Sequence, residues 1–158
     1  MTRVQELFDL SGRVAVVAGG AGLLGFQMAS ALAEAGATVV IASRKLENCQ
    51  AKADELRQGG YDALALPLDA NDPASVAALA EQVLAQCGRA DVLVTSIAGG
   101  TGYAAENYPP EAWEQSIHAT LSAVFYLCQS FGRHMLSCGK GSIITIGSIY
   151  GVVAPYQH

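Results

Sequence analysis

Charged side chains are scarce in this chain, at 15% of 158 residues against 51% apolar. Only 9 are Lys or Arg, against 14 Asp or Glu, and the formal net charge is −5. With no basic cluster to offset that sign, a nucleic-acid-binding surface is not expected. Long apolar runs are missing as well. No stretch approaches the ~20 residues of a membrane span, and the first ten residues lack the apolar core of a signal peptide. The four cysteines, Cys49, Cys87, Cys128 and Cys138, include no Cys-x-x-Cys pair. That spacing argues against a zinc site or a disulfide framework and reads as reduced thiols, so a cytoplasmic location is expected. His118 and His134 have neither a carboxylate nor a second histidine at i+4, and no metal site is expected.

What the chain has is glycine in a telling place. The apolar run Val14-Ala15-Val16-Val17 leads straight into Ala18-Gly19-Gly20-Ala21-Gly22-Leu23-Leu24-Gly25. A short buried strand, a glycine-rich turn and a helix make the phosphate-binding opening of a βαβ unit. Glycines let the backbone approach a pyrophosphate, and the unpaired N–H groups of the helix start hold its charge. Strand and helix patterns then alternate to the end of the chain. Strands are expected at 13–18, 38–42, 62–67, 92–95 and 142–146, and helices at 23–35, 46–58, from Pro73 onward with Asp72 as N-cap, and from Glu111 to Ser137. Such alternation, with a mean hydropathy of +0.29, implies a parallel sheet buried on both faces. The expected fold is therefore α/β: one Rossmann-like domain over 1–158 with a doubly wound parallel sheet of order 3-2-1-4-5. A ligand would sit beyond the strand C-termini, near the loop after the fourth strand.

These motifs together resemble the short-chain dehydrogenase/reductase family along nearly the whole chain. The lead-in from Leu7 to Val14, Asp69 after the third strand, Asp91-Val92-Leu93-Val94, and Gly141 to Ser148 each look like a family segment. The resemblance implies an NAD(P)-dependent oxidoreductase acting on a small-molecule carbonyl or alcohol. It implies cofactor contacts at Gly19, Gly22, Leu24 and Gly25 in the turn, at Ser43 and Arg44 after the second strand, at Asp69, and at Ala98. It makes Ser148 the hydroxyl that orients the substrate carbonyl; the same residue reads equally as a strand-end serine capping the next turn. An acidic residue at the end of the second strand would repel a 2′-phosphate, and Ser43-Arg44-Lys45 stands there instead, favouring NADP(H) over NAD(H). The bland alternative makes Arg44 and Lys45 solvated cations at a helix start. The family's long helix builds a dimer contact, so self-association through the helix from Glu111 to Ser137 is expected, with Trp113 and Phe125 as core or contact residues.

The departures are specific. Gly19, Gly22 and Gly25 follow the spacing of the family's extended branch, with Ala18 in place of threonine. The family's Asn-Asn-Ala-Gly appears as Thr95-Ser96-Ile97-Ala98-Gly99, and its helix asparagine falls at Thr120. No tyrosine has a lysine four residues on, since Tyr150 is followed at that distance by Ala154. A phenol of unperturbed pKa about 10 is a poor base near neutrality. The chain is thus expected to be a truncated copy of a longer enzyme, lacking the last strands and impaired as a catalyst. Two other readings stand beside it. A non-catalytic dinucleotide-binding or interaction module would share the glycine turn, and an extended-type nucleotide-sugar epimerase-like protein would share its spacing but not the later motifs.

Overall fold

Every second residue of the first strand faces the same way, and both ways lead into a core. In the computed structural model, which describes residues 4–99 and 103–153, β1 spans Val14–Ala18 and all five of its residues are buried. Val14, Val16 and Ala18 join one apolar cluster, and Ala15 and Val17 join another on the opposite face. That is the period-two alternation of a pleated strand covered on both sides, which is why the run is continuously apolar.

The other elements follow in strict alternation. After a single turn α1 (Val4–Leu7) and β1 come α2 (Leu23–Glu34), β2 (Thr38–Ser43), α3 (Leu46–Gln58), β3 (Ala63–Pro67), α4 (Pro73–Cys87) and β4 (Val92–Thr95). A 3₁₀ turn (Ala105–Asn107), α5 (Pro110–Ile117), a π-helical turn (His118–Ser122), α6 (Ala123–Ser137), β5 (Ser142–Thr145) and a 3₁₀ turn (Ile149–Gly151) complete it. The sheet has five strands in the order β3-β2-β1-β4-β5, and every pairing is parallel. The expected order is therefore the observed one.

Helices α2 and α3 cover one face, where Phe26, Ala29, Ala33, Cys49, Ala53 and Leu56 pack on Val17, Val39 and Ile41. Helices α4 and α6 cover the other, where Leu79, Val83, Leu127 and Phe131 pack on Val16, Val40 and Leu93. Burying a side chain of that size stabilises by about 1.5–3 kcal/mol, and truncating Phe131 to alanine costs about 3–5 kcal/mol. Helix α4 starts as its sequence dictates: the Asp72 carboxylate accepts from the Ala74 N–H at 2.9 Å, and Pro73 takes the first position.

Two expectations need adjustment. The helix read from Glu111 to Ser137 begins at Pro110 and is interrupted by the π-helical turn His118–Ser122, with helical backbone on both sides. There the Thr120 hydroxyl donates to the Ser116 carbonyl at 2.6 Å, a side-chain bond that competes for a helix acceptor. Trp113 and Phe125 are not core residues; both are 56% exposed.

Candidate functional site

The turn after β1 is shaped by what its backbone touches. Gly19 has φ +84°, and a Cβ there would stand 2.3 Å from the Ser96 carbonyl oxygen beyond β4. Its N–H donates to the Ala42 carbonyl of β2 at 2.8 Å, so the turn is sewn to the strands on either side. Gly25, inside α2, approaches the same turn from below; a Cβ on it would lie 2.2 Å from the Gly19 oxygen. Only glycine fits at either place. Gly22 is the N-cap of α2, and neither a side-chain cap nor an acidic residue occupies the first turn of that helix. Its N–H groups and the positive end of its dipole are left for an external anion.

That helix start opens on a cleft of about 1150 Å³. The cleft runs along the C-terminal ends of β1 to β4, which in this strand order is the switch point between β1 and β4. Of the residues assigned from sequence, Gly19, Gly22, Ser43, Arg44, Asp69 and Ala98 line it together. Leu24 does not; it is 66% exposed at the start of α2. Gly25 is buried beneath the turn rather than facing the cleft. Ser148 follows β5, exposed, and its carbonyl accepts from the Gly151 N–H at 3.0 Å as the chain enters its 3₁₀ turn. Tyr156, and Gly100 and Gly102 of the loop after β4, lie outside the described residues.

The charges in the cleft are unevenly placed. Arg44 and Lys45 stand where β2 passes into α3, and Arg44 makes no ion pair among the described residues. Ser43 Oγ lies 3.0 Å from Cys49 Sγ, a contact that anchors this corner to α3. Among the described residues Asp69 is the one carboxylate lining the cleft, and it is held in place. Its Oδ1 accepts from the Asn71 N–H at 3.0 Å, and its own N–H donates to Ser75 Oγ at 3.0 Å. The β2 corner therefore offers positive charge and the β3 corner a hydrogen-bond acceptor.

Sequence reasoning missed the wall contributed by α5 and the π-helical turn that follows it. Gln115, Ser116, His118 and Ala119 line the cleft, and a Cβ at Gly99 would meet the Ala119 methyl at 2.3 Å. Nothing in the local pattern signalled that approach, because it joins residues far apart in the chain. At the end of β4, the Thr95 hydroxyl is buried without a hydrogen-bond partner among the described residues. Among those residues, no helix is long and apolar enough to cross a membrane.

Fold and glycine turn define a Rossmann-type dinucleotide-binding protein. The chain belongs to the short-chain dehydrogenase/reductase family: residues 13–158 match the family described as short chain dehydrogenase. It is similar to the D-threitol dehydrogenase of Mycolicibacterium smegmatis, at 36% identity over 165 aligned residues covering 100% of this chain and 63% of that protein. The galactitol 2-dehydrogenase of Rhizobium johnstonii is also 36% identical, with 94% of this chain and 58% of that protein covered. Among solved structures, a gluconate 5-dehydrogenase from Burkholderia cenocepacia in complex with NADP and tartrate superimposes with a TM-score of 0.91. There the identity is 31%, and 97% of this chain and 60% of that one are covered. The chain thus spans about three fifths of the length of the relatives it matches.

Proposed function

We propose that this chain carries the cofactor-binding half of an oxidoreductase that interconverts a carbonyl and an alcohol, with NADP(H) preferred over NAD(H). The observation that carries the reading is the cleft itself, where an uncapped helix start, the Arg44 corner and the Asp69 corner line one continuous space. The N–H groups of α2 would hold the pyrophosphate. Ser43 and Arg44 would hold the 2′-phosphate, Arg44 by charge-assisted bonds that break no ion pair to any described residue. Asp69 would accept from the adenine amino group, and Ala98 would let the cofactor lie against the end of β4. Bound there, the dinucleotide supplies or accepts a hydride. Ser148 would donate a hydrogen bond to the substrate oxygen.

The substrate class we infer is a small polyhydroxylated alcohol or its ketone, since the similar proteins named above carry threitol, galactitol and gluconate in their names. We place the protein in the cytoplasm, and its self-association on the α5–α6 face, where Trp113, Leu121 and Phe125 are exposed. One observation favours a second reading, a dinucleotide-binding module without catalysis: Thr120 stands where the family's helix asparagine falls, and its hydroxyl is already bonded to the Ser116 carbonyl. Titration calorimetry separates the cases. The first reading expects tighter binding of NADPH than of NADH, together with turnover of a keto-polyol by the full polypeptide the gene encodes. Binding without turnover supports the module, and no heat with either nucleotide overturns both.

A further inference from the structure

Side chains bridge the cleft between the loop after β3 and the helix that closes its far wall. Asn71 lies in that loop, and His118 stands where α5 passes into the π-helical turn; both line the cleft. His118 Nδ1 is 3.3 Å from Asn71 Oδ1. An amide oxygen only accepts, so Nδ1 carries the proton and donates. The backbone beneath one partner and the ring of the other each have a contact of their own. The Asn71 N–H donates to Asp69 Oδ1 at 3.0 Å, which fixes the turn that presents its side chain. The His118 ring stands edge-on to Tyr126 of α6, with centroids 6.0 Å apart. Asp69, Asn71, His118 and Tyr126 therefore form one chain of contacts that starts at the β3 corner, crosses to α5 and ends on α6.

We propose that the Asn71–His118 hydrogen bond is a clasp over the base end of the cleft, which must open for a dinucleotide to enter or leave. The clasp rests on the cofactor reading above, which sets the adenine beside Asp69. It has a kinetic signature distinct from that of a nucleotide contact. A bond present in both the empty and the filled cleft, but broken on the way between them, slows association and dissociation equally. It leaves the equilibrium affinity almost untouched.

The test uses the purified 158-residue chain with NADPH as probe. Release is followed by nucleotide fluorescence after mixing with excess NADP, and association is followed by stopped flow. Asn71→Ala and His118→Ala are each expected to speed release and association by about three- to tenfold, the range one net hydrogen bond gives. Kd should hold within about twofold. The double variant should be no faster than either single one, because one bond is lost once. Asn71→Asp, which keeps an acceptor facing Nδ1, should release no faster than the wild type. Unchanged rates in the single variants, or additive acceleration in the double variant, overturn the clasp. So does a raised Kd with unchanged association, which would make these residues direct nucleotide contacts. If an alanine variant fails to fold by circular dichroism, Asn71→Ser, too short to reach His118, replaces it. Equal release from Asn71→Ser and Asn71→Asp then overturns the clasp. A wild-type chain that binds no NADPH at all instead defeats the cofactor reading, and the clasp with it.

Discussion

The Asp91 carboxylate accepts a hydrogen bond from the Val14 N–H at 3.0 Å and so ties the start of β4 to the start of β1. Arg89 Nε donates to the same carboxylate at 2.6 Å, and Arg13 donates to it at 3.3 Å. The residue is 7% exposed, the one buried acidic side chain among the described residues. Burial pushes its pKa up, but the bonds from Arg89, Val14 and Arg13 outweigh that and hold it at about 2, below the ordinary 3.8.

A depressed carboxylate pKa stabilises the fold where the group is ionised. The stabilisation is complete above the unfolded value of 3.8 and is lost as pH falls through about 2. A gap of that size corresponds to roughly 2 kcal/mol. Asp91→Asn should therefore be less stable than the wild type at pH 7 in urea denaturation, and the difference should shrink between pH 4 and pH 2. A difference that stays constant down to pH 2 would show that Asp91 acts through shape alone.

Replacing Gly19 by valine should weaken NADP(H) binding at least ~10-fold, because the Cβ would press on the Ser96 oxygen and φ +84° strains any side chain. Gly25→Val should do the same by pushing the Gly19 carbonyl toward the cleft. Calorimetric titration of folded variants checks both. Wild-type affinity in a folded Gly19→Val chain would place the dinucleotide elsewhere.

Arg44→Ala is expected to lower NADP(H) affinity about 10-fold or more and NAD(H) affinity by less than about twofold, since a charged hydrogen bond to phosphate is lost only with the former. Equal losses would show that Arg44 reads a group the two cofactors share.

How much of this was legible in the sequence follows from which interactions are local. Strand order, the Asp72 cap and the glycine turn rest on short-range patterns, namely alternation, glycine spacing and a capping aspartate before Pro73, whereas Ser43, Arg44, Asp69 and Ala98 were picked out by family resemblance and meet Gly19 and Gly22 along one cleft. The π-helical turn was not legible, because an apolar helix pattern reads the same with or without one extra residue at Thr120. Nor was the α5 wall, since the contacts of Ala119 with Gly99 and of His118 with Asn71 depend on how α5 settles against the sheet. Leu24 was assigned by its place in the glycine motif, yet the helix turns its side chain to solvent.

Thr95→Val should leave stability unchanged or raise it by up to about 1 kcal/mol, because the buried hydroxyl has no partner among the described residues and valine keeps its shape. Urea denaturation measures it. A loss of more than about 1 kcal/mol would mean that the hydroxyl is hydrogen-bonded in solution, with an internal water as the first candidate.

The last prediction concerns β5, which pairs with β4 on one side and, among the described residues, with no strand on the other. Ile143, Ile144 and Ile146 are 38%, 44% and 41% exposed, so a β-branched strand presents both apolar side chains and open backbone groups. Such an edge templates pairing with another chain. The purified 158-residue chain should therefore self-associate through this edge, in addition to the α5–α6 face, with rising concentration in light scattering. Ile144→Lys, which puts a charge on that edge, should reduce the association without lowering NADPH affinity, because Ile144 does not line the cleft. Association that Ile144→Lys leaves unchanged, but Phe125→Glu abolishes, would leave the α5–α6 face as the sole contact and rule out the sheet edge.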